Sequence, residues 1–113
     1  MVTPAVGEVV LVRFPFSDLS QSKLRPAVCL ADAGRGDWVL CQITSNAYGD
    51  SRAILLHDPD FAAGGLKVAS YVRPAKLFTT HERVIVKSVG KLRDDTLRRV
   101  VDGVVALLRT DVP

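Results

Sequence analysis

The chain predicts a mainly β domain with one α-helix: a small, strongly bent antiparallel sheet or partial barrel, with an amphipathic helix at its C-terminal end. Three observations carry that reading. Short apolar runs rich in β-branched residues recur between residues 7 and 89, glycines and prolines punctuate them, and beyond Gly90 the apolar spacing changes to that of a helix. At 113 residues and 48% apolar content the chain is large enough to bury a core and too small for two, so residues 1–113 read as a single domain.

Gly7 to Phe14 is the first strand, stopped by Pro15, which has no N–H to give a ladder. Pro26 to Ala31 and Trp38 to Thr44 are the next two. Gly34-Arg35-Gly36-Asp37 between them offers the positive φ that hairpin turns require, so the two runs should pair antiparallel. Arg52 to Leu56 is a fourth run. His57 to Leu66 holds one proline and two glycines and reads as a loop with room for one helical turn. Ser70 to Phe78 and Val84 to Val89 bring the count to six strands, with Pro74 placing the former at an edge or a bulge. From Asp94 the apolar residues Leu97, Val100, Val101, Val104, Val105 and Leu108 fall on one helical stripe, while Arg98, Arg99, Asp102 and Arg109 fall elsewhere. Asp94 and Asp95 complement the helix dipole at its start. Gly103 costs about 1 kcal/mol relative to alanine, so packing on the sheet must hold this helix.

No stretch approaches the roughly 18 to 20 apolar residues of a spanning helix, and the first residues lack the basic-then-apolar pattern of a secretory signal. The expectation is a soluble, cytoplasmic protein. Cys29 and Cys41 sit inside apolar runs and read as core thiols, since two cysteines without a histidine cluster make no zinc pattern. The formal charge of +3 suits an anionic partner only if the cations gather on one face.

One constellation offers chemistry. Proline holds the residue before it extended, so Arg25 leaves the polar loop ahead of Pro26 with a defined direction. Its guanidinium is a planar donor fork, permanently protonated and matched to phosphate oxygens. The hairpin sets the end of the run at Thr44 and Ser45 beside the start of the run at Pro26. Hydroxyls would thus stand near the arginine, able to hold a phosphate oxygen. Thr-Ser after a strand also ties down turns through local hydrogen bonds, and that reading stands beside the first.

Six blocks bear on the choice: Gly7-Glu8-Val9-Val10, Phe14-Pro15-Phe16-Ser17-Asp18, Lys23-Leu24-Arg25-Pro26-Ala27-Val28, Cys41-Gln42-Ile43-Thr44-Ser45, Ser70-Tyr71-Val72-Arg73-Pro74-Ala75-Lys76-Leu77-Phe78 and Val89-Gly90-Lys91-Leu92. In order and spacing, over nearly the whole chain, they resemble the PemK/MazF-like toxins of type II toxin-antitoxin modules. The resemblance implies a PemK/MazF/CcdB-like barrel that pairs into a homodimer. It implies an mRNA interferase, a sequence-selective endoribonuclease that cuts single-stranded RNA with no metal or other cofactor, and a cognate antitoxin, acidic and partly disordered, lying across the site. Its catalytic pair falls on Arg25 and Thr44, with Ser45 alongside. Asp18 and Lys23 belong to the loop that flanks the RNA path in such proteins, and Arg73 and Lys76 to a block that can meet phosphates.

The sequence departs from the pattern of some relatives at Phe78 and His81, where those relatives have an arginine and an aspartate. His81 is a candidate acid or base by residue type; in the polar turn Thr79-Thr80-His81-Glu82 it equally reads as solvated surface. With aromatics at 6% the chain is poor in stacking surfaces, and Trp38 reads as core or dimer surface, so RNA would be held largely through its backbone. The alternative function is a non-enzymatic toxin of the same fold that binds and poisons DNA gyrase through its terminal helix. A barrel module that only binds a protein partner is the third reading.

Overall fold

A computed structural model describes residues 3–15 and 22–110 of the chain; Asp18 lies outside the described residues. Among the described residues, seven strands form one antiparallel sheet: β1 (Glu8–Pro15), β2 (Ser22–Gly34), β3 (Asp37–Thr44), β4 (Ile54–Leu56), β5 (Phe61–Gly64), β6 (Ser70–His81) and β7 (Ile85–Leu92). The order across the sheet is β4-β6-β3-β2-β1-β7-β5, and one helix, α1 (Asp94–Arg109), follows. Short 3-10 turns at Asp58–Asp60 and Glu82–Val84 join β4 to β5 and β6 to β7. The architecture is the bent antiparallel sheet with a terminal helix that the sequence predicts, curled into a half-barrel.

Neighbouring residues in the central strands are buried together: Val9 with Val10, Ala27 with Val28 and Cys29, Leu40 with Cys41. Side chains alternate along a strand, so burial of consecutive residues requires a core on each face of the sheet. One core gathers Val9, Val28, Cys41, Ile43, Leu56, Val72 and Leu92 under Val100 of α1. The other gathers Val10, Val12, Ala27, Cys29, Trp38, Leu40 and Ile85 on the opposite face. Double burial is also why these strands read as nearly continuous apolar runs instead of alternating ones.

The hairpin between β2 and β3 forms as the sequence predicts, with Val28 opposite Cys41. Its turn residues Arg35 and Gly36 have φ of 58° and 80°, positive at both central positions as a type I′ turn requires. The single helical turn in the loop after β4 is likewise present.

Three expectations need correction. The described residues form seven strands rather than six, because Phe61–Gly64 pairs with β7; four residues with two alanines and a glycine carry no alternation to betray a strand. Gly64 lies opposite Gly90, where backbones approach too closely for a Cβ on either. β2 begins well before Pro26, so Arg25 does not leave a loop but stands inside a strand, opposite Val12. Of the two positions expected for Pro74, an edge or a bulge, the bulge is the one found: Arg73 to Lys76 together face Gln42 within an interior strand. Finally, only part of the helical stripe is covered: Val100 and Val104 are buried and Leu97 packs on the core, while Val101, Val105 and Leu108 are exposed.

Gly103 now has a reason. A Cβ there would lie 3.2 Å from Ile54 Cδ1 and 3.4 Å from Pro74 Cγ, so glycine lets α1 settle directly on β4 and the β6 bulge. The start of α1 is tied down by Asp60, whose Oδ1 accepts from Thr96 Oγ1 (3.1 Å) and Arg99 Nη2 (3.0 Å) and whose carbonyl accepts from Arg93 N–H (2.9 Å).

Candidate active site

The ladder between β2 and β3 stops at the pair Ala27 and Gln42. The Cys29 carbonyl accepts from Gly7 N–H, which turns it toward β1; alternation then turns Pro26 toward β3, where it has no N–H to offer. Carried two residues further, the same register faces Arg25 toward Thr44, at a position of the kind where side chains of antiparallel neighbours stand closest. Arg25 is half-buried, on the sheet face of the buried Val12 opposite it.

Thr44 ends β3 opposite Tyr71 of β6 and is largely buried. Its Oγ1 accepts from Asn46 N–H at 3.2 Å. The turn-anchoring role of the hydroxyl is therefore present, and it is compatible with chemistry: one lone pair is taken, and the hydroxyl's own proton can still be given to a phosphoryl oxygen. Ser45 is exposed at the bend after it.

Arg73 sits two residues from Tyr71, on the same side of β6. Its Nε donates to Asp50 Oδ2 at 3.1 Å, and its guanidinium lies 5.7 Å from the centre of the Tyr48 ring. An Asp50 Oδ1 bond from Arg52 N–H (2.9 Å) fixes the carboxylate in turn. The Arg52 amide, and after it the Arg73 guanidinium, hold the Asp50 carboxyl below the usual carboxylate range. Arg73 is thus a brace for the loop after Thr44 as well as a cation near it. The Cys41 thiol donates to the Arg73 carbonyl at 2.9 Å, filling an acceptor that the bulge takes out of the ladder. Burial pushes the Cys29 and Cys41 thiols up to about 12, so both are inert core groups.

Lys23 is exposed and two residues from Arg25 along β2, on the same face by alternation. Lys76 is exposed within the β6 bulge. Lys23, Arg25, Thr44 and Arg73 are therefore brought to one end of the sheet. His81 is not. It lies opposite Asp37 at the far end of β3, about 23 Å from Thr44 at the usual strand rise. Its Nδ1 accepts from Arg83 N–H at 3.1 Å, and its ring covers Gly36 of the hairpin turn. His57 faces the Asp60 carboxylate at 3.4 Å, beyond β4. A cleft of about 200 Å³, lined by Leu56, His57, Phe61, Leu66 and Lys67, also lies apart from the pair.

Sequence reasoning missed Tyr48, Asp50 and Tyr71. Their signal was available in part: Asn46-x-Tyr48 and Asp50-x-Arg52 are side-chain-capped turns of the kind Asn and Asp make two residues ahead.

Residues 5–108 match the family model described as PemK-like, MazF-like toxin of type II toxin-antitoxin system. The chain belongs to that family. Among solved structures, the PemK/MazF-like chain superposes on the MazE-MazF complex (Form-II) of Deinococcus radiodurans with a TM-score of 0.77, at 23% identity over 96% of this chain and 97% of that one. It superposes on an endoribonuclease in complex with its cognate antitoxin from a mycobacterial species with a TM-score of 0.71, at 15% identity over the whole of both chains. For the Mycobacterium tuberculosis toxin MazF-mt6 the TM-score is 0.66, at 16% identity over 86% of this chain and 91% of that one. At these identities the likeness concerns the fold. Among curated protein sequences none matches. Of this family's chains the present one is a toxin by membership, with Arg25 and Thr44 at the positions that the Arg-Pro and Thr-Ser steps mark.

Proposed function

We propose that this toxin is a metal-independent, sequence-selective endoribonuclease that cleaves single-stranded RNA, acts as a homodimer and is neutralised by a cognate antitoxin. The observation that supports the reading is the β2–β3 register, whose last pair, Ala27 and Gln42, lies two residues short of Arg25 and Thr44 at the same end of the sheet. Solved relatives described as an endoribonuclease with its antitoxin support the activity class and the partner.

RNA supplies its own nucleophile. The 2′-OH attacks the adjacent phosphorus, the P–O5′ bond breaks, and the products are a 2′,3′-cyclic phosphate and a 5′-OH. The 2′-OH proton is lost to solvent or a base, and the 5′-oxygen gains one. In this scheme the Arg25 guanidinium neutralises the dianionic phosphorane and hydrogen-bonds its equatorial oxygens, while the Thr44 hydroxyl, steadied by Asn46, fixes the phosphate for in-line attack. Lys23 and Arg73 add charge along the phosphate path.

Arg25→Ala should lower the cleavage rate constant by about a hundred- to a thousand-fold, the usual cost of removing one transition-state donor, with the fold retained. Thr44→Val should cost less in rate than Arg25→Ala, since a neutral hydroxyl's hydrogen bonds and not a charge are lost. Single-turnover cleavage of a defined RNA in chelator measures both. An unchanged rate in Arg25→Ala would remove that residue from the chemistry. Intact RNA with the native protein, together with trapped gyrase, would move the function to the gyrase-poison alternative.

A further inference from the structure

An aromatic ring stands in solvent beside the pair. Tyr48 is 69% exposed and adopts φ of 53°, a left-handed conformation that bulky residues avoid. The strain is over-determined by its surroundings. Thr44 Oγ1 accepts from Asn46 N–H (3.2 Å), Asn46 Oδ1 accepts from Tyr48 N–H (2.8 Å), and the Ala47 carbonyl accepts from Asp50 N–H (2.9 Å). Two successive hydrogen bonds thus link the Thr44 hydroxyl to the Tyr48 backbone. From the other side, the Arg73 guanidinium lies 5.7 Å from the ring centre and is itself held by Asp50 at 3.1 Å. Backing by a cation fixes the orientation of the ring and leaves its remaining surface to solvent.

A braced loop that presents a large ring to water, four residues from a phosphate-binding hydroxyl, has no use in the core. It has the form of a stacking surface, which accepts any base because every base has a π-face. We propose that Tyr48 is the base-stacking platform of this toxin, taking a nucleobase next to the phosphate held at Arg25 and Thr44, with Arg73 and Asp50 as positioning residues. The inference rests on the ribonuclease reading above. It also changes the expectation that RNA is held largely through its backbone.

The test uses the full chain and an RNA whose cleaved junction has been mapped. An uncleavable copy, 2′-deoxy at that junction, carries 2-aminopurine in turn at each flanking base. The native protein should quench the fluorophore at one flanking position. Tyr48→Ala should lose that quenching and weaken binding about five- to a hundredfold, raising KM with kcat changed only a few-fold. Tyr48→Phe and Tyr48→Trp should restore both, which a merely structural role for the hydroxyl or the loop would not allow. Asp50→Asn should fall between native and Tyr48→Ala.

Unchanged KM and quenching in Tyr48→Ala, with an active native enzyme, would overturn the platform alone. Failure of the native protein to bind or cleave RNA would overturn both readings. Tyr48→Ala that binds RNA normally and loses only its grip on the antitoxin would assign the ring to a protein interface and overturn the platform as well.

Discussion

The imidazole of His81 is spent on structure: Nδ1 caps the 3-10 turn at Arg83, and the ring covers Gly36, where a Cβ would lie 2.5 Å from Nε2. His81→Ala should therefore leave RNA cleavage within about twofold of native while removing a cap worth about 1 kcal/mol, read as a lower melting temperature. A cleavage rate that collapses with the fold intact would return His81 to the chemistry. Asp50 makes a prediction of pH. Its carboxyl is held below the ordinary value, first by the Arg52 amide and then by Arg73, so the bridge contributes in full above that ordinary value. The contribution shrinks as pH falls below it and is gone beneath the folded-state value. Urea melts of native protein and Asp50→Asn should accordingly differ by a constant amount from pH 7 to 5 and converge only in stronger acid. A difference that vanishes between pH 7 and 5 would contradict the assignment.

At the scale of elements, α1 depends on one carboxylate. Asp60 is buried and receives Thr96 Oγ1, Arg99 Nη2 and His57 N–H, the last at 3.0 Å. Removing it strands those donors at the helix start. Asp60→Ala should cost about 2–3 kcal/mol, measured as a shift of the urea midpoint, with cleavage by the surviving folded fraction unchanged. The hairpin and the helix were legible in the sequence because each has a local signature: glycines flanking Arg35, and apolar spacing from Leu97 to Val104. β5 was not, because what makes Phe61–Gly64 a strand is the partner strand β7 and a glycine-to-glycine approach, neither of which is local. Pro26 misled for a related reason. It marks the point where the β3 ladder ends, not where β2 begins, since β1 pairs past it.

At the scale of the whole molecule, the sheet carries a core on each face, and the proposed site lies at one end of it, the end that β2, β3 and β6 give to Arg25, Thr44 and Arg73. The pair itself was legible, because an Arg-Pro step and a Thr-Ser step one hairpin apart are a sequence pattern. The braced aromatic was not, because Tyr48 meets Arg73 across 25 positions of chain and through a bulge that no periodicity announces. Nor was the separation of His81, which follows from the length of β3. The same end of the sheet then has to account for the proposed cleavage without His81. Sequencing the ends of a defined single-stranded RNA after incubation with the purified toxin in excess chelator tests this most directly. The account predicts cuts at a recurrent motif leaving 2′,3′-cyclic phosphate and 5′-OH ends, formed about a hundred- to a thousand-fold more slowly with Arg25→Ala. Intact RNA, ends bearing a 5′-phosphate, or equal cleavage by Arg25→Ala would contradict it.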